Sequence, residues 1–173
     1  MAIRKILTIP DPILKKKSIL VEKIDNEVRK LMDDMLETMY DAPGIGLAAI
    51  QIGVSKRVVV IDLSKDEKKS PLFLVNPEII WKSENKSSYE EGCLSIPNQF
   101  AKIERAEKCH VKYLNYDGKE KVIKTEGLLS TCIQHEIDHL NGVLFIDYLS
   151  KLKKEIIIKK VSKNKKELER IVV

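Results

Sequence analysis

The segment QHEIDH at residues 134–139 constrains the folding of this chain more than any other. If the segment is helical, its His-Glu-x-x-His spacing puts two histidines on one helical face, because residues four apart lie about 6 Å apart along the axis. His135 and His139 can then bind one metal ion, and Glu136 beside them can accept a proton from water at that ion. The segment therefore predicts a helix that carries a catalytic metal site.

The third metal ligand must come from another part of the chain, because catalytic sites of this kind usually have three protein ligands. Cys93 follows a glycine that permits close backbone approach, and its thiolate is a good ligand for zinc or iron. His110 lies in an alternating run typical of a strand and is the weaker candidate. The alternative for Cys93 is a small buried side chain, which is how we interpret Cys109.

A glycine-rich segment, PGIGLAAIQIG at residues 43–53, also carries chemical information. It does not fit a dinucleotide-binding fingerprint, because Ala49 stands where that motif needs glycine and because a helix precedes the segment. The side-chain amide of Gln51 is a suitable donor to a developing oxyanion. The alternative is a loop followed by a small-residue strand that packs against a helix.

These three segments together resemble the peptide deformylase family. The matching strings are GIGLAAIQ at residues 44–51, EGCLS at 91–95 and QHEIDH at 134–139, and the resemblance extends from residue 9 to residue 149. It implies a hydrolase of protein biosynthesis that removes the N-formyl group from the first methionine of newly synthesised polypeptides and releases formate. Formyl-methionyl nascent peptides are therefore the expected partners.

The same resemblance implies roles for the residues of the site. Water at the metal is expected to attack the formyl carbon, with Glu136 as general base and then as acid. Gln51 and the backbone N–H of Leu94 are expected to donate to the oxyanion. The expected ligands of one divalent ion, Fe²⁺ or Zn²⁺, are Cys93, His135 and His139. The expected substrate-binding residues are Ile45, Gly46, Tyr89, Gly92, Leu128, Thr131 and Cys132.

Two contacts of charged side chains are considered around the metal site, one of them with an alternative. Asp138 is expected either to accept a hydrogen bond from a ligand histidine or to face solvent. The family pattern also suggests that Arg105 pairs with Glu91.

Length and cysteine content are those of a single cytoplasmic domain. A chain of 173 residues can bury about 70% of its unfolded surface in one domain. Its three cysteines lack paired spacing, and no signal-peptide core is present, which favours a reducing compartment. No stretch reaches the roughly 18 apolar residues that a membrane span needs. We therefore expect a cytoplasmic protein without a membrane partner or a specific DNA partner.

Apolar spacing predicts an α+β fold over residues 1–173. A spacing of three and four between residues 25 and 40 marks an amphipathic helix, and β-branched runs at 58–61 and 72–75 mark strands. Asp117 and Gly118 form the turn of a predicted hairpin, and the metal helix is expected to run from about Leu128 to Gly142. With the family resemblance, this indicates mixed or antiparallel β-sheets around a central metal-binding helix, followed by a C-terminal helix.

Positive charge is concentrated in residues 151–173. The formal net charge of the chain is +5, whereas residues 151–170 alone hold nine Lys or Arg and three Glu. Ser150 is a candidate helix N-cap, and the helix is expected to pack on the body through Leu152, Ile156 and Ile157. The family resemblance implies a ribosome contact for this basic helix, and the alternative is a solvated helix without a partner.

Two other functions remain open at the level of sequence. A zinc metallopeptidase that cleaves peptide bonds shares the His-Glu-x-x-His helix, but its third ligand is usually His or Glu rather than a residue such as Cys93. A zinc-stabilised RNA-binding module would use the basic tail, but structural zinc sites normally have four protein ligands and give Glu136 no role.

Overall fold

The computed structural model describes residues 2–64 and 68–171 and shows an α+β domain in this part of the chain. Its strands are β1 Gly46–Ala48, β2 Val58–Ile61, β3 Leu72–Lys82, β4 Lys86–Cys93, β5 Ile96–Ala106, β6 Lys108–Leu114 and β7 Glu120–Glu126. Its α-helices are α1 Asn26–Asp41, α2 Gly127–Leu140 and α3 Lys151–Ile171. Short 3₁₀-helices cover Pro12–Lys15, Ala49–Ile52 and Phe145–Tyr148. The predicted fold class is confirmed.

These strands form two sheets, and every strand pair within them is antiparallel. The larger sheet has the order β1-β2-β3-β6-β7, and β4 and β5 form a separate two-stranded sheet. The predicted hairpin is β6-β7, and Gly118 in its turn has φ +82°, in the left-handed region that favours glycine. β4 and β5 were not expected from the sequence, because these strands lack the regular apolar and polar alternation that usually marks a half-buried strand.

The larger sheet is buried between α1 and α2 because successive side chains of a strand point to opposite faces. Val58 and Val60 of β2 belong to the core cluster that contains the apolar face of α1. Val59 and Ile61 belong to the cluster that contains the apolar face of α2. This is why β2 is apolar at all four positions, and it places the metal helix against a fixed surface.

The two helices that border the sheet begin and end near the predicted residues. The side chain of Asp25 caps α1 by accepting a 3.0 Å hydrogen bond from the backbone N–H of Val28. α2 ends at Leu140, and Gly142 follows with φ +74°. Almost every residue of α2 after Leu129 is buried, so its side chains have fixed positions.

The C-terminal helix α3 forms as predicted, but it packs differently. The backbone N–H of Lys153 donates to the Ser150 hydroxyl at 3.3 Å, as expected for an N-cap. The prediction that Leu152 and Ile156 pack on the body is wrong, since they are 68% and 43% exposed. Ile157 and Val161, four residues apart on one face, are the buried pair.

Six residues lie outside the part of the chain that the structure describes. The end of the predicted 151–173 segment, residues 172 and 173, lies outside the described residues, as do residues 1 and 65–67. No helix in the described part of the chain has an apolar stretch long enough to cross a bilayer.

Substitution of Gly142 by alanine is expected to destabilise the fold strongly. A Cβ atom there would lie 2.3 Å from the backbone oxygen of Lys15, and φ is +74°. We expect Gly142→Ala to lower the free energy of unfolding by about 3 kcal/mol or more, measured by denaturant titration at equal metal content.

Gly118→Ala is the matched control for this substitution. Gly118 also has positive φ, but a Cβ there would meet only Ile24 at 3.8 Å. Backbone strain alone should cost about 1 kcal/mol. Equal losses in the two variants would contradict the role given to the contact between Gly142 and Lys15.

Candidate metal centre and substrate cavity

Three predicted metal ligands meet where the turn between β4 and β5 approaches α2. The donor atoms of Cys93, His135 and His139 all lie within 4.8 Å of one another, and Cys93 Sγ is 3.2 Å from His139 Nε2. The histidines are 9% and 1% exposed. No fourth His, Cys, Asp or Glu joins this group within the described residues. One thiolate and two imidazoles around one point fit a metal ion that keeps a coordination position free for reaction.

The weaker candidate ligand, His110, lies elsewhere. Its ring in β6 packs against Trp81 of β3, with the ring centroids 4.5 Å apart and the ring planes inclined by 36°. His110 does not belong to the donor group. The thiol of Cys109 is buried and lies 3.1 Å from the Thr125 hydroxyl, which agrees with its interpretation as a structural residue.

Glu136 is a buried carboxyl group beside the histidines. It is 4% exposed, and its Oε2 atom has no hydrogen-bond partner among the described residues. Burial raises its pKa to about 7, against the opposing effect of the positive charges of His135 and Arg105. Such a group can accept and return a proton near neutral pH.

Gly46 makes room for this carboxyl group. A Cβ atom at Gly46 would lie 2.4 Å from Glu136 Oε1, so any larger residue at this position would displace the Glu136 side chain. Gly92 has a similar role in β4, where a Cβ atom would lie 2.6 Å from the ring of Phe100. Both glycines are therefore needed for packing around the site, whatever else they contact.

Hydrogen bonds fix the orientation of the Gln51 amide. Its Oε1 accepts from the backbone N–H of Ala48 at 2.9 Å, and its Nε2 donates to the Ser95 hydroxyl at 3.1 Å. Nε2 also lies 3.5 Å from Cys93 Sγ, so the donor end of the amide faces the thiol. Ser95 belongs to the EGCLS string, but no role was expected for it from the sequence, because its partner Gln51 is 44 residues away in the chain.

A buried ionic network connects the donor group to the surface. Glu91 Oε2 lies 2.9 Å from His135 Nδ1, and Arg105 donates to both oxygens of Glu91 at 2.6 and 3.0 Å. Arg105 also donates to Asp138 at 2.8 Å, and the exposed Tyr148 donates to the same Asp138 oxygen at 2.7 Å. The expected pairing of Arg105 with Glu91 is confirmed. Both expectations for Asp138 are wrong. The partner of His135 is Glu91 of β4, and the carboxylate of Asp138 forms an ion pair with Arg105.

Opposite electrostatic effects act on the two glutamates of the site. Burial raises the pKa of Glu91, but hydrogen bonds from His135 and Arg105 outweigh burial and hold that pKa below its ordinary value. Glu136 lacks such partners, and its pKa rises. Glu91 is therefore a permanent anion that orients His135, whereas Glu136 can exchange a proton.

A cavity of about 450 Å³ opens beside the donor group, within the range of small-ligand pockets. All seven residues expected to bind substrate line it, and Glu136 and Gln51 also face it. β5 adds lining residues that were not expected from the sequence, among them Pro97, Asn98 and Gln99. Only the hairpin topology of β4-β5 brings these residues to the cavity, so no local pattern could have indicated them.

Comparisons with known proteins agree on one family. The family model described as polypeptide deformylase matches residues 3–155. The chain is 61% identical to a peptide deformylase of Pelagibacter ubique, with 100% of both chains covered, and 57% identical to one of Rhizobium meliloti, with 94% of both covered.

Solved structures of peptide deformylases have a similar fold. The fold is similar to peptide deformylases from Ehrlichia chaffeensis, with TM-score 0.92, 43% identity and coverage of 96% and 98%, and from Legionella pneumophila, with TM-score 0.91, 49% identity and coverage of 98% and 99%. A second Ehrlichia chaffeensis structure, solved in complex with actinonin, has TM-score 0.91, 45% identity and coverage of 95% and 98%.

Removing the charge of Asp138 is expected to weaken metal binding. In Asp138→Asn, Arg105 keeps only one carboxylate partner, Glu91. Arg105 then positions Glu91 less firmly, and Glu91 in turn orients His135 less firmly. We expect roughly three- to tenfold weaker affinity, less than the loss typical for a direct partner of a ligand. The measurement is Co²⁺ titration of metal-free protein against a chelator.

Asp147→Asn is the control, since it removes the same charge from a residue that pairs with Lys15 and Lys154 and not with Arg105. Its Co²⁺ affinity should stay close to that of the parent protein. Equal affinity in both variants would show that Asp138 does not position His135.

Proposed function

The chain belongs to the polypeptide deformylase family and is accordingly a metal-dependent hydrolase that removes the N-formyl group from nascent polypeptides; we propose which of its residues do so. Cys93, His135 and His139 hold the metal ion. The observation that carries this proposal is the convergence of these donors, within 4.8 Å of one another, beside the buried Glu136. Family membership does not favour the alternative, a zinc metallopeptidase.

The ion is one divalent cation, Zn²⁺ or Fe²⁺. When bound, it supplies a Lewis acid that polarises the formyl oxygen and makes water more acidic. One thiolate and two imidazoles suit both ions, so the donor set alone does not choose between them. Elemental analysis of the purified protein identifies the native ion. Oxygen must be excluded during purification, because a thiolate ligand such as Cys93 is open to oxidation.

Glu136 transfers the proton of the reaction. It accepts a proton from the attacking water and delivers it to the nitrogen of the departing methionine. Burial raises the pKa of this carboxyl group, which makes it a better proton acceptor than an exposed glutamate while it can still return the proton. No hydrogen-bond partner of its Oε2 atom lies within residues 2–64 and 68–171, which leaves the carboxyl group free for this exchange.

Gln51 and Leu94 stabilise the oxyanion. The Gln51 amide is held with its Nε2 donor towards Cys93, and Leu94 follows Cys93 directly and lines the same cavity. The Leu94 backbone N–H is the second donor. Each well-aligned donor to an oxyanion lowers the barrier by about 3 to 4 kcal/mol, and pre-orientation of the amide avoids reorganisation during reaction.

The methionine side chain enters the cavity along α2. Leu128, Thr131 and Cys132 form this wall, which suits an unbranched side chain. The peptide that follows methionine lies across the opposite part of the cavity, which is lined by Ile45, Gly46, Tyr89 and Gly92. The Ehrlichia chaffeensis structure was solved with actinonin, and we expect this compound to bind the same cavity here.

The whole chain acts as one catalytic domain, residues 1–173, in the cytoplasm where new polypeptides appear, with no membrane or specific DNA partner. Its basic helix α3 contacts the ribosome. Beyond Val161 the residues of α3 are almost all exposed, and Lys163, Lys165 and Lys166 lie in this part. A row of exposed cations on a helix that leaves the body suits attraction to the phosphates of ribosomal RNA.

Substitution of Glu136 by glutamine tests the catalytic proposal. We expect Glu136→Gln to lower kcat for formate release from formyl-Met-Ala-Ser by at least about 100-fold, because the amide cannot accept the proton, with metal content unchanged. Glu126→Gln, an exposed residue at the start of the same helix, is the control and should keep parental kcat. A parental kcat in Glu136→Gln would refute the proton-transfer role. Cleavage of internal peptide bonds by the parent protein would instead favour a metallopeptidase.

Neutralising the exposed end of α3 tests the ribosome contact. We expect replacement of Lys163, Lys165 and Lys166 by serine to reduce co-sedimentation with ribosomes at low salt several-fold, because log affinity falls with each lost phosphate contact. Replacement of Lys119, Lys121 and Lys124, around β7, by serine is the matched control and should have little effect. Equal binding of the two triple variants would mean that α3 has no specific contact.

A further inference from the structure

Thr131 places a hydroxyl group in the apolar wall of the cavity. The residue is 3% exposed, it lines the cavity, and its hydroxyl oxygen is buried without a hydrogen-bond partner among the described residues. Leu128 and Cys132 form the wall around it. Burial raises the pKa of the Cys132 thiol well above its ordinary value, so that thiol stays neutral.

The unpaired hydroxyl is unfavourable for the protein alone. A buried donor without a partner loses its hydrogen bonds to water and gains none in return, whereas valine has the same shape without this loss. The elements packed around Thr131 do not supply a partner in the described residues. A group that arrives with the substrate can supply one.

A substrate whose formyl group lies at the donor group, and whose side chain runs along α2, would bring its sulfur atom to the level of Thr131. Thr131 precedes the metal ligand His135 by four residues on the same helical face, which is about 6 Å along the axis. In formyl-methionine the sulfur is five bonds from the formyl carbon, or about 6 Å in an extended chain at ordinary bond lengths. A helical threonine has two accessible χ1 rotamers, so the hydroxyl can turn towards the cavity that the residue lines.

We propose that Thr131 is a specificity-determining residue whose hydroxyl donates a hydrogen bond to the thioether sulfur of the substrate's first side chain. The enzyme thereby distinguishes methionine from a hydrocarbon side chain of the same length and shape. This inference rests on the proposed function, because it places the formyl group at the donor group of Cys93, His135 and His139. Thioether sulfur is a weak acceptor, so the preference is a modest one.

The test compares two substrates that differ only at the sulfur. Formyl-Met-Ala-Ser and formyl-norleucine-Ala-Ser are assayed by formate release, and the ratio of their kcat/KM values is taken for each protein. Thr131→Val removes the hydroxyl and keeps the shape, and we expect the ratio to fall roughly two- to tenfold. Thr131→Ser keeps the hydroxyl and should keep the parental ratio.

Two further variants protect the test against indirect effects. Thr131→Ala also lacks the hydroxyl, so its ratio should fall as in Thr131→Val even if valine disturbs folding. Thr125→Val removes the hydroxyl of a buried threonine that bonds Cys109 outside the cavity, and its ratio should remain parental.

The ratio separates this inference from the function on which it rests. If the parent releases formate and the ratio does not depend on the hydroxyl at position 131, this inference is wrong and the proposed function stands. If the fully metallated parent releases formate from neither substrate, the proposed function itself is wrong. Equal losses on both substrates in Thr131→Val and Thr131→Ala would also overturn the inference, since they indicate a structural role only.

Discussion

The ionic contacts of Arg105 hold together the parts of the molecule that form the site. Arg105 belongs to β5, it binds Glu91 of β4 through two nitrogens, and it binds Asp138 of α2 through a third. Glu91 in turn contacts His135 and precedes Cys93 by two residues. One guanidinium group thus fixes the two-stranded sheet against the metal helix, and loss of a buried partner in such a group typically costs about 3 to 5 kcal/mol.

The larger sheet provides the rigid support that this arrangement needs. Because α2 packs on one face of β2 and α1 on the other, the metal helix cannot shift without opening the core. Gly46 at the end of this sheet leaves the space into which the Glu136 carboxyl group fits. The proposed metal ligands and the proposed proton carrier are therefore positioned by the same layers that stabilise the fold.

Chemical roles within the site follow from local environment rather than from residue type. Glu91 and Glu136 are both buried, but Glu91 has two hydrogen-bonding partners that favour its charge, and the Oε2 atom of Glu136 has none among the described residues. One glutamate is fixed as an anion and the other has a pKa of about 7. Gln51 shows the same principle, because Ala48 and Ser95 hold its amide in a single orientation.

The sequence by itself determined the family, the α+β class, the helix that carries the candidate ligands His135 and His139, and the strands of regular apolar pattern, because each leaves a signal within a few residues. The His-Glu-x-x-His spacing placed His135 and His139 on one face, and Asp25 marked the start of α1. Local spacing could not show which of the isoleucines at 156–158 is buried, since they point in three directions around α3.

Only the tertiary structure decided the contacts between residues far apart in the chain. It paired Asp138 with Arg105, joined Gln51 to Ser95 by a hydrogen bond, and brought residues of β5 into the lining of the cavity. Among the residues that the structure describes, it left the hydroxyl of Thr131 without a hydrogen-bond partner. Such contacts depend on how sheets and helices are arranged in space, and that arrangement is set by the burial of the whole core rather than by any short segment.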